Sequence, residues 1–170
     1  MIPRKAPAMP IDRRLFLAST AALVACSPAL RANAAPDRFA NSPWRRLTDA
    51  AWRARLAAES YAVLREGATE APFSSPLDAE RAQGIYACLG CGLTLFRSDW
   101  KYDSGTGWPS FWTESPGTLL KKADHQLIVP RTEYHCARCL GHQGHVFDDG
   151  PRPTGLRYCN NGAALKFVPA

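Results

Sequence analysis

Residues 85–96 read IYACLGCGLTLF and residues 133–139 read EYHCARC, so the chain contains two C-x-x-C pairs. Four thiolates at this spacing can close a tetrahedron around zinc, because each pair forms a tight turn with both sulfurs on one side. The four candidate ligands are Cys88, Cys91, Cys136 and Cys139. Two disulfides, or a redox-active pair, are the alternatives. Two matched pairs favour one structural zinc ion, whose closed site leaves no open position for a substrate.

The sequence around these pairs is typical of short strands bounded by Gly, Pro, Asp or Asn. The predicted strands are GIYAC, LTLF, SFW, HQLIV, EYHC, HVF, RYC and ALKF. Ahead of them, residues 48–66 carry apolar side chains at helical spacing, with Thr48 as N-cap, a break near Ser60 and Gly67 as terminator. The pattern predicts one mainly β domain with a helical N-terminal segment packed on it.

The formal net charge of +6 is concentrated near the start of the 170-residue chain. The first 34 residues hold five Lys or Arg against one Asp, which leaves 16 basic against 14 acidic residues in the remainder. Because a nucleic-acid surface needs a basic patch, this nearly balanced domain argues against nucleic acid as a partner.

The basic N-terminus resembles an export signal, with paired arginines, a short apolar stretch and small residues in DRRLFLASTAALVACSPALRANAAP. Arg13-Arg14 is similar to a twin-arginine signal, and the apolar stretch is shorter than the roughly 20 residues of a membrane anchor. Cleavage before Ala35 and lipidation of Cys26 both stay open, and a basic leader of a cytoplasmic protein is the alternative. The predicted division is an export signal over 1–34, a flexible linker over 35–45 and a folded domain over 46–170. We expect a periplasmic protein that contacts the membrane only if Cys26 is lipidated.

Cys159 belongs to neither pair and lies in the strand-like stretch GLRYCNNGAALKF. In a strand, Arg157, Cys159 and Asn161 share one face. A neighbouring guanidinium favours thiolate over thiol, so this face is a candidate reactive site. The alternative is a buried free cysteine that acts as a small hydrophobe.

Two further motifs contain side chains suited to a site. His142 and His145 lie three positions apart in GHQGHVFDDG. They are candidate zinc ligands, although the four cysteines already fill one site, and ordinary surface histidines are the alternative. Trp108 lies between Gly and Pro in GTGWPSFW, a loop setting in which a tryptophan more often faces a ligand than the core.

Together these motifs resemble those of the methionine sulfoxide reductase B family. The resemblance runs from YAVLREGATEAPF to ALKFVP and includes CLGCGLTLF, KYDSGTGWPSFW and RTEYHCARCLGHQGHVFDDGPRPTGLRYCNNGAALKF. It implies a small domain of two antiparallel sheets with short N-terminal helices and a structural zinc ion on the two cysteine pairs. The implied activity is reduction of the R epimer of methionine sulfoxide, free or in oxidised proteins and peptides.

By the same resemblance, Cys159 occupies the position of the catalytic nucleophile. The implied reaction is thiolate attack on the sulfoxide sulfur, protonation of its oxygen by His142 or His145, and formation of a sulfenic acid. Trp108 is expected to receive the substrate methyl group on its ring face. The other residues implied to line the site are Asp149, Arg157 and Asn161. A thioredoxin-like protein or a small thiol is the expected reductant, and a monomer is the expected assembly.

The chain departs from the family pattern at Thr106, where many relatives have a cysteine that resolves the sulfenic acid as a disulfide. Gly162 and Gln143 stand where serine and leucine are common, and we expect them to tune packing without removing activity. A non-enzymatic zinc-ribbon module is an alternative, but it leaves Cys159 without a role. A thiol oxidoreductase that acts through a C-x-x-C pair is the other, and it would lose zinc during turnover.

Overall fold

The computed structural model describes residues 37–125 and 130–170. The predicted export signal and Cys26 lie outside these residues, as does most of the HQLIV stretch. Within the described part of the chain, no helix is long and apolar enough to cross a membrane.

Short helices precede the sheets, as predicted. They are α1, Asp49–Arg53; α2, Ala58–Glu66; and α3, Pro76–Ala79. The Thr48 side chain accepts a hydrogen bond from Ala51 N and caps α1, and α2 ends at Gly67, whose φ is 73°. The break comes earlier than predicted, because Ala57 is extended and Ser60 is buried inside α2. Three 3-10 turns add to these helices: Pro43–Arg46, Ser98–Trp100 and Gly162–Ala164.

The described residues form nine strands in two antiparallel sheets, which confirms the predicted fold class. The strands are β1, Gly84–Cys88; β2, Thr94–Arg97; β3, Lys101–Tyr102; β4, Ser110–Phe111; β5, Leu119–Asp124; β6, Arg131–Cys136; β7, His142–Phe147; β8, Arg157–Asn160; and β9, Leu165–Pro169. The small sheet has the order β2-β1-β9, and the large sheet has the order β3-β4-β8-β7-β6-β5. The last strand therefore pairs with the first, and β8 lies near the middle of the large sheet.

An aromatic core joins the two sheets. Phe96 of β2 stacks on Phe111 of β4 with ring centroids 4.2 Å apart, and Tyr86 of β1 meets Phe111 edge-on at 4.9 Å. Phe96 also contacts Tyr158 of β8 at 6.0 Å. Such offset and edge-on pairs add to the stabilisation that comes from burying their area. The packing fixes β8 on the small sheet, and so fixes the strand that carries the candidate nucleophile.

The described residues of the segment predicted as a linker make side-chain contacts with one another and with the domain. Arg45 pairs with Asp37 at 2.7 Å, and its Nη2 donates to the carbonyl of Ala137 at 2.5 Å. Trp44 packs on Trp52 of α1 with ring centroids 6.0 Å apart. Ala137 is distant in sequence and Trp52 belongs to another element, so the Pro- and Asn-containing composition of the segment could not reveal these two contacts.

Candidate active site

The two cysteine pairs lie in turns of the same geometry. In each turn, the residue after the second cysteine donates its N–H to the carbonyl of the first cysteine at 2.8 Å. These donors are Gly92, with φ of 73°, and Leu140, with φ of 61°. The left-handed backbone turns the chain back and brings both sulfurs of a pair to one side.

The four sulfurs converge in one buried cluster. Cys88 Sγ lies 3.6 Å from Cys139 Sγ, and Cys91 Sγ lies 3.5 Å from Cys136 Sγ. Tetrahedral zinc with bonds of about 2.3 Å holds its sulfurs about 3.8 Å apart, so the cluster fits this ion. Hydrogen bonding from neighbouring cysteines, Cys136 first, raises the pKa of Cys88 well above its ordinary value, an effect that a bound cation would reverse. All four sulfurs lie within 4.8 Å of one another, and the contacts of 3.5 and 3.6 Å are well beyond an S–S bond of about 2.05 Å, so the geometry favours a shared metal over two disulfides.

Gln143 connects this cluster to β7. The side chain is fully buried, and its Nε2 donates to Cys88 Sγ at 3.4 Å. Donors to a metal-bound sulfur orient the ligand and tune its charge. Gln143 therefore has a polar role at the cluster in addition to packing.

Cys159 lies in β8, between β4 and β7. It pairs with Ser110 across β4 and with His145 across β7. Its strand neighbours Tyr158 and Asn160 are buried, whereas Cys159 is half-buried on the opposite face. The alternation of β8 thus directs the thiol out of the core and towards the side chains of two neighbouring strands.

A cleft of about 110 Å³ opens at Cys159. Three of the predicted site residues line it with Cys159, namely Trp108, His145 and Asn161. The lining residues that the sequence did not predict are Thr69, Arg131, Gly144, Phe147 and Asn160. The other predicted residues, His142, Asp149 and Arg157, are not part of this lining.

Opposing effects act on the Cys159 thiol. Burial raises its pKa and is the largest effect, while the charge of Arg157 and a hydrogen bond from the Thr106 hydroxyl lower it. The net direction is a pKa above the ordinary 9.0. Arg157 favours the thiolate as predicted, but removal from water outweighs it.

Asp149 acts on the site through Arg157. The guanidinium donates through Nε and Nη2 to the two oxygens of Asp149 at 2.8 and 2.7 Å. It also lies 4.3 Å from the ring centroid of Phe147. A bidentate pair holds the planar guanidinium in one orientation, so Asp149 positions the positive charge beside Cys159.

Each candidate histidine is held by a carboxylate. His142 is buried, its Nδ1 contacts Glu133 Oε1 at 2.5 Å, and its Nε2 has no hydrogen-bond partner among the described residues. His145 contacts Asp124 Oδ2 through Nε2 at 2.8 Å, and Arg131 donates to the same oxygen at 2.7 Å. Burial is the largest effect on both imidazoles, and it lowers the pKa of each below the ordinary 6.5.

A second group of metal-ligating atoms lies at Glu133, His135 and His142. Both imidazoles approach the same oxygen of Glu133, at 3.0 Å from His135 and 2.5 Å from His142. These are direct-contact distances and leave no room for an ion between the groups. Of the two clusters, the four-cysteine cluster fits a metal ion.

Glu70 joins the walls of the cleft. Its N–H donates to Asn161 Oδ1 at 3.1 Å, and its carbonyl accepts from Trp108 Nε1 at 3.2 Å. Its buried carboxylate accepts from the N–H groups of Gly162 and Ala163 at 2.6 and 2.7 Å. One residue thereby fixes the loop of Trp108 relative to the turn that follows Cys159.

Comparison with known proteins shows the family of the chain. The SelR domain matches residues 56–169. A peptide methionine sulfoxide reductase MsrB of Bradyrhizobium diazoefficiens is 54% identical over 121 residues, which cover 69% of this chain and 86% of that protein. MsrB proteins of Leptospira interrogans and Agrobacterium fabrum are 49% and 47% identical, over 71% and 75% of this chain and 92% and 96% of their own length. The solved Mis18 "Yippee-like" domain shares only 14% identity and a TM-score of 0.40 over 52% of this chain and 97% of its own, too little to extend the assignment. The chain therefore belongs to the SelR domain family, the family of the MsrB peptide methionine sulfoxide reductases.

Proposed function

We propose that this chain reduces the R epimer of methionine sulfoxide, free or in oxidised proteins, through a sulfenic acid on Cys159. Family membership makes the chain an oxidoreductase that acts on methionine sulfoxide. The observation that carries the finer proposal is the position of Cys159 in a small cleft, directly opposite His145 and beside Arg157.

The proposed reaction balances in atoms and electrons, as follows. The Cys159 thiolate attacks the sulfoxide sulfur, a proton from His145 reaches the sulfoxide oxygen, and that oxygen is transferred to Cys159. Methionine leaves as a thioether reduced by two electrons, and Cys159 becomes a sulfenic acid. An external dithiol, or two thiols, then returns the two electrons and releases the oxygen as water.

His145 is the better candidate for the proton donor. It lines the cleft and faces Cys159 across the sheet, whereas His142 is buried behind it with ring centroids 5.5 Å apart. Asp124 contacts Nε2 of His145 and thereby leaves Nδ1 to hold the transferable proton. We assign His142 a supporting role behind His145.

The indole ring of Trp108 forms the side of the cleft that would bind the methyl group of the substrate. Its indole N–H donates to Glu70, which holds the ring at the edge of the cleft. A methyl group on a positively polarised sulfur is attracted to the negative face of an aromatic ring. A methyl fixed on this face, with oxygen towards His145, admits one of the two sulfoxide epimers.

The four-cysteine cluster would hold a structural zinc ion, with Cys88, Cys91, Cys136 and Cys139 as its ligands. A closed set of four thiolates supplies folding energy and no reactive position. The chemistry therefore rests on Cys159 and its neighbours.

The decisive test is a Cys159→Ser variant assayed on the separate R and S epimers. We expect wild-type protein to reduce only the R epimer and the variant to reduce neither, with zinc content and thermal unfolding unchanged. A tenth of the wild-type rate remaining in the variant would refute the nucleophile, and equal turnover of both epimers would refute the selectivity.

The same proposal predicts how the oxidised enzyme behaves. Thr106 supplies no thiol, and zinc would hold the four paired cysteines, so Cys159 should persist as a sulfenic acid after one turnover. Mass spectrometry after one equivalent of substrate should find one added oxygen on Cys159, trappable by dimedone. A Thr106→Cys variant is the positive control and should form a disulfide. A wild-type product two hydrogens lighter, linking Cys159 to a cluster cysteine, would show that zinc ligands resolve the oxidised form.

We further propose that the protein is exported to the periplasm by its twin-arginine-like leader. Arg13-Arg14 and the apolar stretch after them support this. Fractionation of cells expressing the wild-type chain and an Arg13→Lys, Arg14→Lys variant tests it, since the variant should stay in the cytoplasm.

A further inference from the structure

One carboxylate oxygen faces two nitrogen atoms at the edge of the cleft. Arg131 Nη2 donates to Asp124 Oδ2 at 2.7 Å, and His145 Nε2 contacts the same oxygen at 2.8 Å. The Asp124 side chain is 5% exposed, and those of His145 and Arg131 are 12% and 28% exposed. Because water reaches these groups poorly, their charges act on one another more strongly than surface charges do. Arg131 also lines the cleft, and the proposed reaction gives it no role.

Sheet pairing places these groups on the same face as the candidate nucleophile. Asp124 is directly opposite Arg131 across β5 and β6, Glu133 is opposite His145, and His145 is opposite Cys159. Arg131 and Glu133 lie two positions apart in β6, so their side chains share a face. The pair formed by Asp124 and Arg131 therefore acts on His145 from the side away from Cys159.

The contact with Asp124 defines the uncharged form of His145. A carboxylate can only accept, so the N–H of a neutral imidazole is on Nε2 and points to Asp124. A second proton, on Nδ1, makes the imidazolium that would protonate a sulfoxide oxygen. If Asp124 were the only charge nearby, it would hold this imidazolium in an ion pair. The guanidinium of Arg131 opposes that attraction, because it lies on the same oxygen.

The charge of His145 affects Cys159 in turn. An imidazolium opposite the thiol would favour the thiolate, and the two would form an ion pair in the resting enzyme. Such a thiolate reacts with any electrophile or peroxide, and not only with a bound sulfoxide. Burial, together with the charge of Arg131, lowers the pKa of His145, and burial raises the pKa of Cys159. Both directions agree with an uncharged pair.

We propose that Arg131 is a positioning residue that balances the charge of Asp124 and so keeps His145 and Cys159 uncharged in the resting enzyme. The inference rests on the proposed function for its meaning in the reaction. The imidazolium and the thiolate then form only as a minor fraction, and an empty cleft holds a poorly reactive thiol. Arg131 needs no contact with the substrate in this role, because it acts through Asp124.

Other charged or titratable groups also face His145 or its partner Cys159, and every variant below except the assignment variant keeps them. They are Glu133 on β6, which Lys122 of β5 pairs with at 3.0 Å; His142 on β7, with ring centroids 5.5 Å from His145; and Arg157 on β8, which pairs with Asp149.

The test is a double-mutant cycle on the pair of charges, measured by NMR titration of His145 in the zinc-loaded full chain. A His145→Gln variant assigns the resonance. Arg131→Met leaves Asp124 unbalanced and should raise the midpoint by about one unit, the size expected for a nearby opposite charge. Asp124→Asn leaves Arg131 unbalanced and should lower the midpoint by about one unit. The double variant removes both charges, so its midpoint should return to within about 0.3 units of wild type.

Two further variants control for structure and for net charge. Arg131→Lys keeps the positive charge and should keep the wild-type midpoint. Lys166→Met removes a positive charge from an exposed position of β9, in the other sheet, and should leave the midpoint unchanged. At pH 7, Arg131→Met should also speed alkylation of Cys159 by iodoacetamide about threefold or more, and the double variant should not.

The outcomes separate the inference from the proposed function, because neither measurement uses a sulfoxide. A midpoint of Arg131→Met within about 0.2 units of that of Lys166→Met would overturn the inference. A double variant that keeps the shift of Arg131→Met would also overturn it, since Arg131 would then act without Asp124. If Arg131→Met does not fold by circular dichroism, Asp124→Asn and the double variant decide the question. Failure of the wild-type protein to reduce methionine sulfoxide would refute the proposed function alone.

Discussion

At the scale of single residues, the two histidines of β7 differ in what they can reach. His145 lines the cleft, while His142 is buried and contacts Glu133. We expect His145→Ala to slow single-turnover reduction by about 10²- to 10⁴-fold, the usual contribution of a general acid. His142→Ala should slow it less, through loss of packing behind His145. A larger loss for His142→Ala than for His145→Ala would exchange the two roles.

Burial shifts the two reacting groups in opposite directions and sets the pH dependence. It lowers the pKa of His145 below 6.5 and raises that of Cys159 above 9.0. Between these pKa values, each rise of one pH unit gives tenfold more thiolate and tenfold less imidazolium. The reactive pair is therefore a constant minor fraction, and kcat/KM should be flat across neutral pH and fall on both sides.

Single-turnover rates from pH 5 to 10.5 test this profile. Zinc content is measured at each pH as the control, so that unfolding is not mistaken for titration. A slope of one across neutral pH would mean that only one of the two groups must be in its charged form.

The sequence could predict the proposed reacting residues but not the groups that hold them. Alternation in RYCNN predicts that Arg157 and Cys159 share a face, and the structure places them so. Glu70 and Asp124 lie far from their partners in sequence, and Glu133, nine positions before His142, meets it through the pairing of β6 with β7. Each meets its partner only through sheet pairing or a loop contact, so no local pattern could indicate it.

At the scale of elements, the two cysteine turns reach the same shape with different residues. Glycine adopts the left-handed backbone without strain, whereas leucine does so at a cost of about 1 kcal/mol or more. A glycine at position 92 indicates a turn with positive φ, but no residue around Leu140 indicates that its φ is 61°. Backbone hydrogen bonds from Leu140 N to Cys136 O and from Cys136 N to Gly141 O accompany this conformation in the second turn.

This difference predicts opposite responses to substitution. Gly92→Ala should lower the free energy of unfolding by about 1 kcal/mol, since a Cβ there meets no atom within 4 Å and only the backbone resists. Leu140→Gly should be better tolerated than Leu89→Gly by about 1 kcal/mol, because only Leu140 has a left-handed backbone to relieve. The two leucines are similarly exposed, at 42% and 36%. Urea unfolding of the zinc-loaded variants gives the comparison, and equal losses for the two leucines would contradict it.

Strands were predictable where an apolar pattern marks them. GIYAC coincides with β1, and RYC lies within β8. Strand β5 was missed because its central residues are exposed and include two lysines, and β3 has only two residues. These two strands form because they hydrogen-bond to neighbouring strands, and the sequence of each stretch alone does not contain that information.

At the scale of the whole molecule, the four-cysteine cluster connects distant parts of the chain. It joins β1 to the turn after β6, and α2 packs on that second turn through Arg65, which donates to Cys139 O at 3.1 Å. The energy of binding at a structural zinc is folding energy, on the order of 10 kcal/mol in small domains.

Removing a ligand should therefore unfold the protein. We expect Cys88→Ser to lose zinc and to lack a cooperative thermal transition, with Cys159→Ser as the matched control that keeps both. Metal analysis with thermal unfolding makes the measurement. A zinc-free Cys88→Ser protein that melts like wild type would show that the aromatic core suffices.

The cluster also determines which part of the chain would carry tension if the two ends of the domain were pulled apart. Cys88 and Cys139 are the outermost ligands and lie 51 positions apart, so a bound metal ion would shield a length of chain that extends to about 180 Å. The loop of Trp108 lies inside this shielded length, while β8 and β9 lie outside it. Under tension applied to the two ends of the domain, β9 would peel from β1 and Cys159 would be pulled from its cleft while the Trp108 loop remained enclosed. With a metal ion bound, extension would thus separate Cys159 from Trp108 before any metal–sulfur bond ruptured.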